Sequence, residues 1–435
     1  MSEIDKNDCK YKALVNGDIF TGKSFKKGTV FIKNNKISKV VFKKIAVPKK
    51  YQIIDCTDKT ISYGFCDPHV HFRSPGMEYK EDWQSGSKSA IKGGFTYVID
   101  MPNTKPPSID FNSILEKHKL AKNNSVVNYG FHIGLTSKNY HEIKNIYRKC
   151  LKHKIPVHGV KVFFGSSTGD LFVNNADMIE RSMNSGVIHL FHAEDEEVIR
   201  NFSSIEYKSV QDHNIRRPPE AELSAIKKIY SITKKVKKTR SYFCHISTKN
   251  GLKFLLSKKN KKIITEVTPH HLYFFTDNIS ESNIFKVNPP IREYQDVLFL
   301  RKLFNKNKIS VIGTDHAPHL LSEKLSDSPP SGLPGLETAL VSLLSLAESG
   351  ILKKEIIFKM LTNGYNIFNI KNRGSIKKNF YADISIISKK ENTYSVKNSM
   401  SKCDFSPFDN VKFNNIIDMV IIGGKILLKD GIINE

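Results

Sequence analysis

The sequence predicts a (β/α)8 barrel carrying a small β-sandwich assembled from both ends of the chain. Three observations point there. From about residue 61 to residue 372, eight apolar, β-rich runs alternate with segments of helical spacing. Both flanks of that region return to short β-type runs. Polar residues suited to ligating a metal stand at the C-terminal ends of seven of the eight predicted barrel strands, where this architecture keeps its chemistry. The expected division is therefore 61–372 for the barrel and 1–60 with 373–435 for the sandwich. A chain of 435 residues suits one large barrel with an appendage better than one ordinary core. An open doubly wound sheet would need a glycine-rich nucleotide loop after the first barrel strand, and none follows it.

The N-terminal strands are expected at Tyr11–Val15, Thr29–Lys33, Ile37–Phe42 and Tyr51–Asp55, with Asn16-Gly17 and Asn34-Asn35 as turn signals. Gly17 to Ser24 matches the phosphate-loop pattern letter for letter. That pattern works only between a buried strand and a helix, and here it runs into a β-like segment, so it is set aside. The barrel strands are expected at 64–72, 96–101, 126–133, 159–164, 187–193, 241–246, 262–268 and 309–315, with helical spacing between them, as in Ile109–Lys122 and Ser224–Lys237. The C-terminal β-type runs are Ala382–Ile387 and Val420–Gly431.

The first barrel strand carries His69 and His71, two residues apart and so on one face, with Arg73 one step further. Later strand ends carry Asn103, Lys161, His192, His245 and Asp315. Taken singly, His192 and His245 read as hydrogen-bonded core histidines and Asp315 as a helix cap. Lys161 is the most telling, because alternation turns it from Val160 and Val162 toward the barrel axis. A buried ammonium needs a partner or gives up its proton. One reading is a buried ion pair; the sharper one is a neutral amine that has added CO2 to become a carbamate able to bridge two cations. Four histidines, Asp315 and such a carbamate would form a binuclear site with mixed N/O ligands, which suits two Zn2+.

These residues, with Pro68–Gly76, Met101–Thr104, Val287–Arg292, Gly313–His319 and Gly332–Glu337, resemble the amidohydrolase superfamily and within it the dihydroorotases, over about residues 10–430. The likeness favours the subgroup with a carbamylated lysine bridge, since Lys161 stands where other dihydroorotases have an Asp. It implies reversible cyclisation of N-carbamoyl-L-aspartate to L-dihydroorotate in de novo pyrimidine biosynthesis. In this scheme a metal pair activates a water and Asp315 moves its proton to the leaving nitrogen. It also implies that Arg73, Asn103 and His319 clamp the substrate carboxylate, that Asn288 with Pro334 and Gly335 reads the ring amide edge, and that the chain forms a homodimer. An allantoinase or hydantoinase would share the metals but lack the clamp. A non-catalytic scaffold of the same fold should have lost ligands, and all six are present.

Other features have plainer readings. Gly165–Gly169 is either a loop over the substrate or a turn. Cys244 and Glu266 read as a buried thiol and a paired carboxylate, or as support for a further metal. His270 and His271 have no assigned role, and His132, His153, His158, His189 and His213 read as structural or surface. The formal charge is +25, from 68 Lys+Arg against 43 Asp+Glu. The lysine runs lack aromatic interleaving, so no nucleic-acid partner is expected, whereas an anionic substrate would be drawn in. The first twelve residues are polar and no run approaches a membrane span, so no membrane partner is expected either. Six scattered cysteines without a Cys-x-x-Cys pair suit a reducing, cytoplasmic compartment.

Overall fold

A computed structural model describes residues 10–165 and 171–434. The chain opens with β1 (Tyr11–Phe20), β2 (Phe25–Lys33), β3 (Lys36–Val41), β4 (Gln52–Asp55) and β5 (Lys59–Tyr63). Eight strands follow: β6 (Phe65–Val70), β7 (Phe95–Asp100), β8 (Asn128–Gly134), β9 (Val157–Phe163), β10 (Ile188–His192), β11 (Ser241–Phe243), β12 (Ile263–Val267) and β13 (Val311–Ile312). The last four are β14 (Ile384–Thr393), β15 (Lys412–Ile422), β16 (Lys425–Lys429) and β17 (Ile432–Ile433).

β6 to β13 form one sheet in which each strand pairs in parallel with the next. A bridge from Val70 to His316 and a bond from His71 N–H to His316 O (2.8 Å) join first strand to last. The result is the predicted barrel. Its strands are short at the C-terminal side: β11 and β13 stop at Phe243 and Ile312, before the polar residues that follow them. The helices between strands cover the outside, as Trp83–Lys92 does by burying Trp83 against Phe72 and Phe131. Asp82 starts that helix by accepting the Ser85 N–H at 2.8 Å.

The terminal strands form one continuous nine-stranded sheet, in the order β17-β16-β15-β14-β5-β1-β2-β3 with β4 beside β1. Side chains from both its halves, among them Leu14, Ile32, Ile61, Ile386, Met419 and Ile426, share a single apolar cluster. The expected sandwich is thus a single sheet curled over its own core. Asn16-Gly17 is not a turn. β1 continues through it on a bulge, with Asn16 at φ 64° and a register shift between Leu14 and Gly17. The bulge lets the first half of β1 pair with β4 and the second half with β5. A Cβ at Gly17 would lie 2.5 Å from Ile61 Cδ1, so a side chain there would have to displace Ile61. Asn34-Asn35 does turn β2 into β3. The phosphate-loop look-alike spans the end of β1 and a hairpin turn closed by Thr21 N–H to Ser24 O (2.9 Å), with strand rather than helix after it.

Two histidines far from the strand C-termini give the fold an acid sensitivity. His158 bonds Tyr97 Oη (2.8 Å), and His189 sits between Ser182 Oγ (2.7 Å) and Val187 O (2.9 Å). Burial lowers both from the ordinary 6.5 to about 4. The unfolded chain therefore binds more protons than the folded one between these values. Stability is expected to fall as pH drops through that window, by up to ~1.4 kcal/mol per pH unit for each group. Thermal midpoints measured from about pH 7 to about pH 4 check this, and His189→Gln should flatten the decline.

Candidate active site

Three site residues owe their direction to an unusual backbone. Arg73, His245 and Asp315 follow the ends of β6, β11 and β13 with φ of 61°, 32° and 51°. Most other non-glycine residues with positive φ are Asn or Asp. A left-handed conformation costs an ordinary side chain roughly 1 kcal/mol or more. Here each of these residues stands at the barrel mouth beyond its strand, so the alternation that links His69 to His71 does not extend to Arg73. Gly313 leaves room beside them, since a Cβ there would lie 2.4 Å from Glu266 Oε2 and 3.0 Å from His69 Cβ.

The mouth encloses a cavity of about 430 Å³. His69, His71, Lys161, His192, His245 and Asp315 all line it, as do Arg73, Asn103, Asn288 and His319. Asp315 Oδ1 lies 3.2 Å from His69 Nε2 and 3.0 Å from His71 Nε2. His192 Nδ1 lies 3.1 Å from His245 Nε2. On three of the imidazoles the other nitrogen is held by an oxygen. His69 Nδ1 meets Glu266 Oε1 (2.9 Å), His71 Nδ1 meets Asn103 Oδ1 (2.7 Å) and His192 Nε2 meets Glu194 Oε2 (2.8 Å). Those oxygens take the ring hydrogens, which leaves lone pairs directed inward. Inward lone pairs beside a carboxylate are the donor set a divalent cation needs, and ligand atoms of His69, His245 and Asp315 lie within 4.8 Å of one another. The residues therefore fit a metal centre.

The charges agree with that geometry. Burial works to lower the His69 imidazole, but the Glu266 and Asp315 carboxylates outweigh it and raise it to about 10, so that a proton takes the cation's place. His71 is lowered to about 4, by burial above all. Burial also lowers His192 and His245. Asp315 is pushed up by burial, yet His69, His71 and His245 together hold it well below the carboxylate range. Lys161 is only 1% exposed. Its Nζ lies 3.3 Å from Cys244 Sγ and 5.1 Å from the Phe163 ring centre, and it pairs with no carboxylate among the described residues.

On the opposite wall Arg73 Nε donates to Pro318 O (3.1 Å), and Nη2 lies 3.0 Å from His319 Nε2. Lys80 Nζ, itself paired with Glu323 at 2.8 Å, donates to His319 Nδ1 at 3.1 Å. Glu323 Oε2 lies 3.4 Å from the same Nδ1, and the Arg73 guanidinium, which only donates, faces Nε2. Arg73 is thus a charged donor on this wall, suited to an anionic oxygen. Asn103, which lines the cavity, gives its oxygen to His71, and its amide N–H groups bond no other described residue.

Pro334 and Gly335 are not among the lining residues. That wall is built by Pro330, Ser331 and Gly332, and the Gly335 N–H donates instead to His316 Nδ1 (3.1 Å). Glu194 was without a role in the sequence reading, although its place two residues after His192 was the available signal. It holds both His192 and Arg217, whose Nη2 lies 2.7 Å away. Glu266 accepts from His69, from the His245 N–H (2.8 Å) and from the Tyr242 hydroxyl (2.5 Å), tying three strands together. His271 is held by Thr268 Oγ1 (2.8 Å) and Pro289 O (3.1 Å), while buried His270 Nε2 finds no partner among the described residues. His132, His158, His189 and His213 lie inside the fold and His153 on its surface. Residues 166–169 of the expected loop lie outside the described residues.

A barrel with such a donor cluster at its mouth defines the class: the chain belongs to the amidohydrolase family of metal-dependent enzymes, whose sequence model matches residues 60–427. Dihydroorotase of Pyrococcus furiosus is 32% identical over 421 residues, spanning 96% of this chain and 93% of its own length. Dihydroorotase of Pyrococcus horikoshii is 34% identical over 405 residues, spanning 93% and 88%. Within the amidohydrolases the chain is thus a member of the dihydroorotase family. Among solved structures, L-hydantoinase (dihydropyrimidinase) from Arthrobacter aurescens superimposes with a TM-score of 0.91 over 97% of both chains at 21% identity. Dihydropyrimidinase from Brevibacillus agri gives 0.87 over 97% of this chain and 96% of its own, also at 21%. At that identity these two speak to the shared fold alone. No helix among the described residues is long and apolar enough to cross a membrane.

Proposed function

We propose that the chain interconverts N-carbamoyl-L-aspartate and L-dihydroorotate. In this proposal His69, His71, Lys161 as its carbamate, His192, His245 and Asp315 would hold two Zn2+. The barrel, residues 61–372, is the catalytic domain, and 1–60 with 373–435 the accessory one. The observation that carries the reading is that one cavity joins the donor cluster to a wall bearing the Arg73 guanidinium, with His319 beside it. The substrate has the same two-sided character: a carboxylate on one side and a ring amide to be opened or closed on the other.

Bound there, the cations supply Lewis acidity toward the ring carbonyl and lower the pKa of a water. The protein's own groups do the rest. Arg73 takes the carboxylate as a charge-assisted donor with His319 beside it, and Asn103 adds an amide N–H. Asp315, held ionised by its imidazole neighbours, accepts the proton of the attacking water. In ring opening the water oxygen bonds the carbonyl carbon, the carbon–nitrogen bond breaks, and Asp315 returns the proton to that nitrogen. Cyclisation runs the same path backward.

The fold neighbours make hydantoin chemistry the natural alternative, and the substrate panel decides. Purified chain loaded with zinc is expected to open L-dihydroorotate, with hydantoin and allantoin slower by orders of magnitude because neither offers a carboxylate to Arg73. Activity confined to the two latter rings would overturn the proposal.

A further inference from the structure

Asn288 forms part of the cavity wall, and what holds its amide determines which of its atoms the substrate meets. His213, on the helix Val210–Arg216, is 7% exposed. Its Nε2 lies 3.0 Å from Val287 O and 2.8 Å from Asn288 Oδ1. A carbonyl only accepts, so the contact with Val287 requires the hydrogen on Nε2. Burial, with Arg217 and Lys286 nearby, lowers His213 to about 3, so the ring is neutral and Nε2–H is its single N–H. That hydrogen is shared by two oxygens, Val287 O and Asn288 Oδ1. The amide cannot be turned over, because its N–H2 would then face an N–H. Ser331 donates a second bond to the same Oδ1 at 3.0 Å. Both lone pairs of Oδ1 are thereby taken. Nδ2 makes no hydrogen bond to another described residue and is left for the cavity.

We infer that His213 is a positioning residue which, with Ser331, locks the Asn288 amide so that Asn288 presents its N–H donors and reads a carbonyl oxygen of the substrate. The inference rests on the proposed function, in which the carbonyl read is the one between the two ring nitrogens, the one that is not attacked. Lys324 keeps the wall in place: its Nζ donates to Lys286 O (2.9 Å), Pro330 O (3.0 Å) and Gly332 O (3.0 Å), which brackets both Asn288 and Ser331.

The test compares L-dihydroorotate with its 2-thio analogue, whose sulfur is a weak acceptor. Wild type is expected to prefer the oxygen substrate in kcat/KM. In His213→Phe the amide is released to rotate, and that preference should shrink by roughly 3- to 10-fold, the worth of one neutral hydrogen bond. The loss should fall mainly on the oxygen substrate. His213→Gln keeps an N–H donor at that position and should restore most of the preference. A merely structural histidine would lower both substrates alike and leave their ratio unchanged, and that result overturns the inference. Should His213→Phe not fold, Ser331→Ala carries the same comparison, with a smaller shift in the ratio expected and an unchanged ratio overturning the inference. Failure of zinc-loaded wild type to open dihydroorotate at all would instead overturn the proposed function.

Discussion

Asp315→Asn is expected to lower kcat/KM for dihydroorotate by roughly 10²–10⁴-fold, the range a positioned general base commonly contributes. The substitution keeps the shape of the side chain and an oxygen where Oδ1 now lies within 3.2 Å of both His69 and His71. What it removes is the negative charge and the basic lone pair. Metal content should therefore fall less than activity does, and the folded state should survive. Steady-state kinetics beside metal analysis separate the two effects. A variant within about tenfold of wild type at equal metal content would mean the proton moves elsewhere. The same variant should lower the proton affinity of His69 in metal-free protein, because one of the two carboxylates that raise it is gone.

Lys161→Ala is expected to abolish activity and metal retention together while leaving the barrel folded. The lysine is buried at the cavity floor, its amine set against a thiol and an aromatic ring rather than a carboxylate. Keeping a bare ammonium there is costly without an anionic partner. In the proposed carbamate the group would be anionic, with two oxygens for cations, so that the lysine and the metals would stabilise one another. In the variant that proposed ligand would be lost, and a small carboxylate such as acetate, diffusing into the gap, should restore part of the activity. Zinc content, circular dichroism and turnover with and without acetate are the measurements. Turnover comparable to wild type in Lys161→Ala would remove the carbamate bridge from the mechanism.

Much of this was readable in the order of residues because barrel geometry converts sequence position into spatial position. A polar residue at the end of an apolar run between helices must lie at the same mouth as every other such residue. That is why His69, Lys161, His192 and Asp315 meet although more than 240 positions separate the first from the last. Alternation along β9 was enough to aim Lys161 inward. It was not enough for Arg73, His245 or Asp315, which lie past the last ladder bond and are aimed by positive φ. Periodicity carries no information once the ladder ends. The wall at Pro330–Gly332 was missed for a related reason: a loop has no period from which to tell which three of its residues face inward.

The supporting groups were less legible still. Glu266 is distant in sequence from His69, and nothing in either segment announces a bond of 2.9 Å between them. His213 read as one more structural histidine until Val287 O and Asn288 Oδ1 appeared on one ring nitrogen. The Asn16-Gly17 pair is a turn signal by composition, but pairing with two different neighbours along β1 made it a bulge instead.

Residue order alone thus settled the barrel, the mouth at which chemistry gathers, and the kinds of donor present, since all three follow from periodic patterns and strand polarity. Folding in three dimensions decided which nitrogen of each imidazole faces inward, which loop atoms form the far wall, and how the Asn288 amide is turned. Those choices depend on hydrogen-bond partners brought from remote strands, and a partner's distance and direction exist only once the chain has closed.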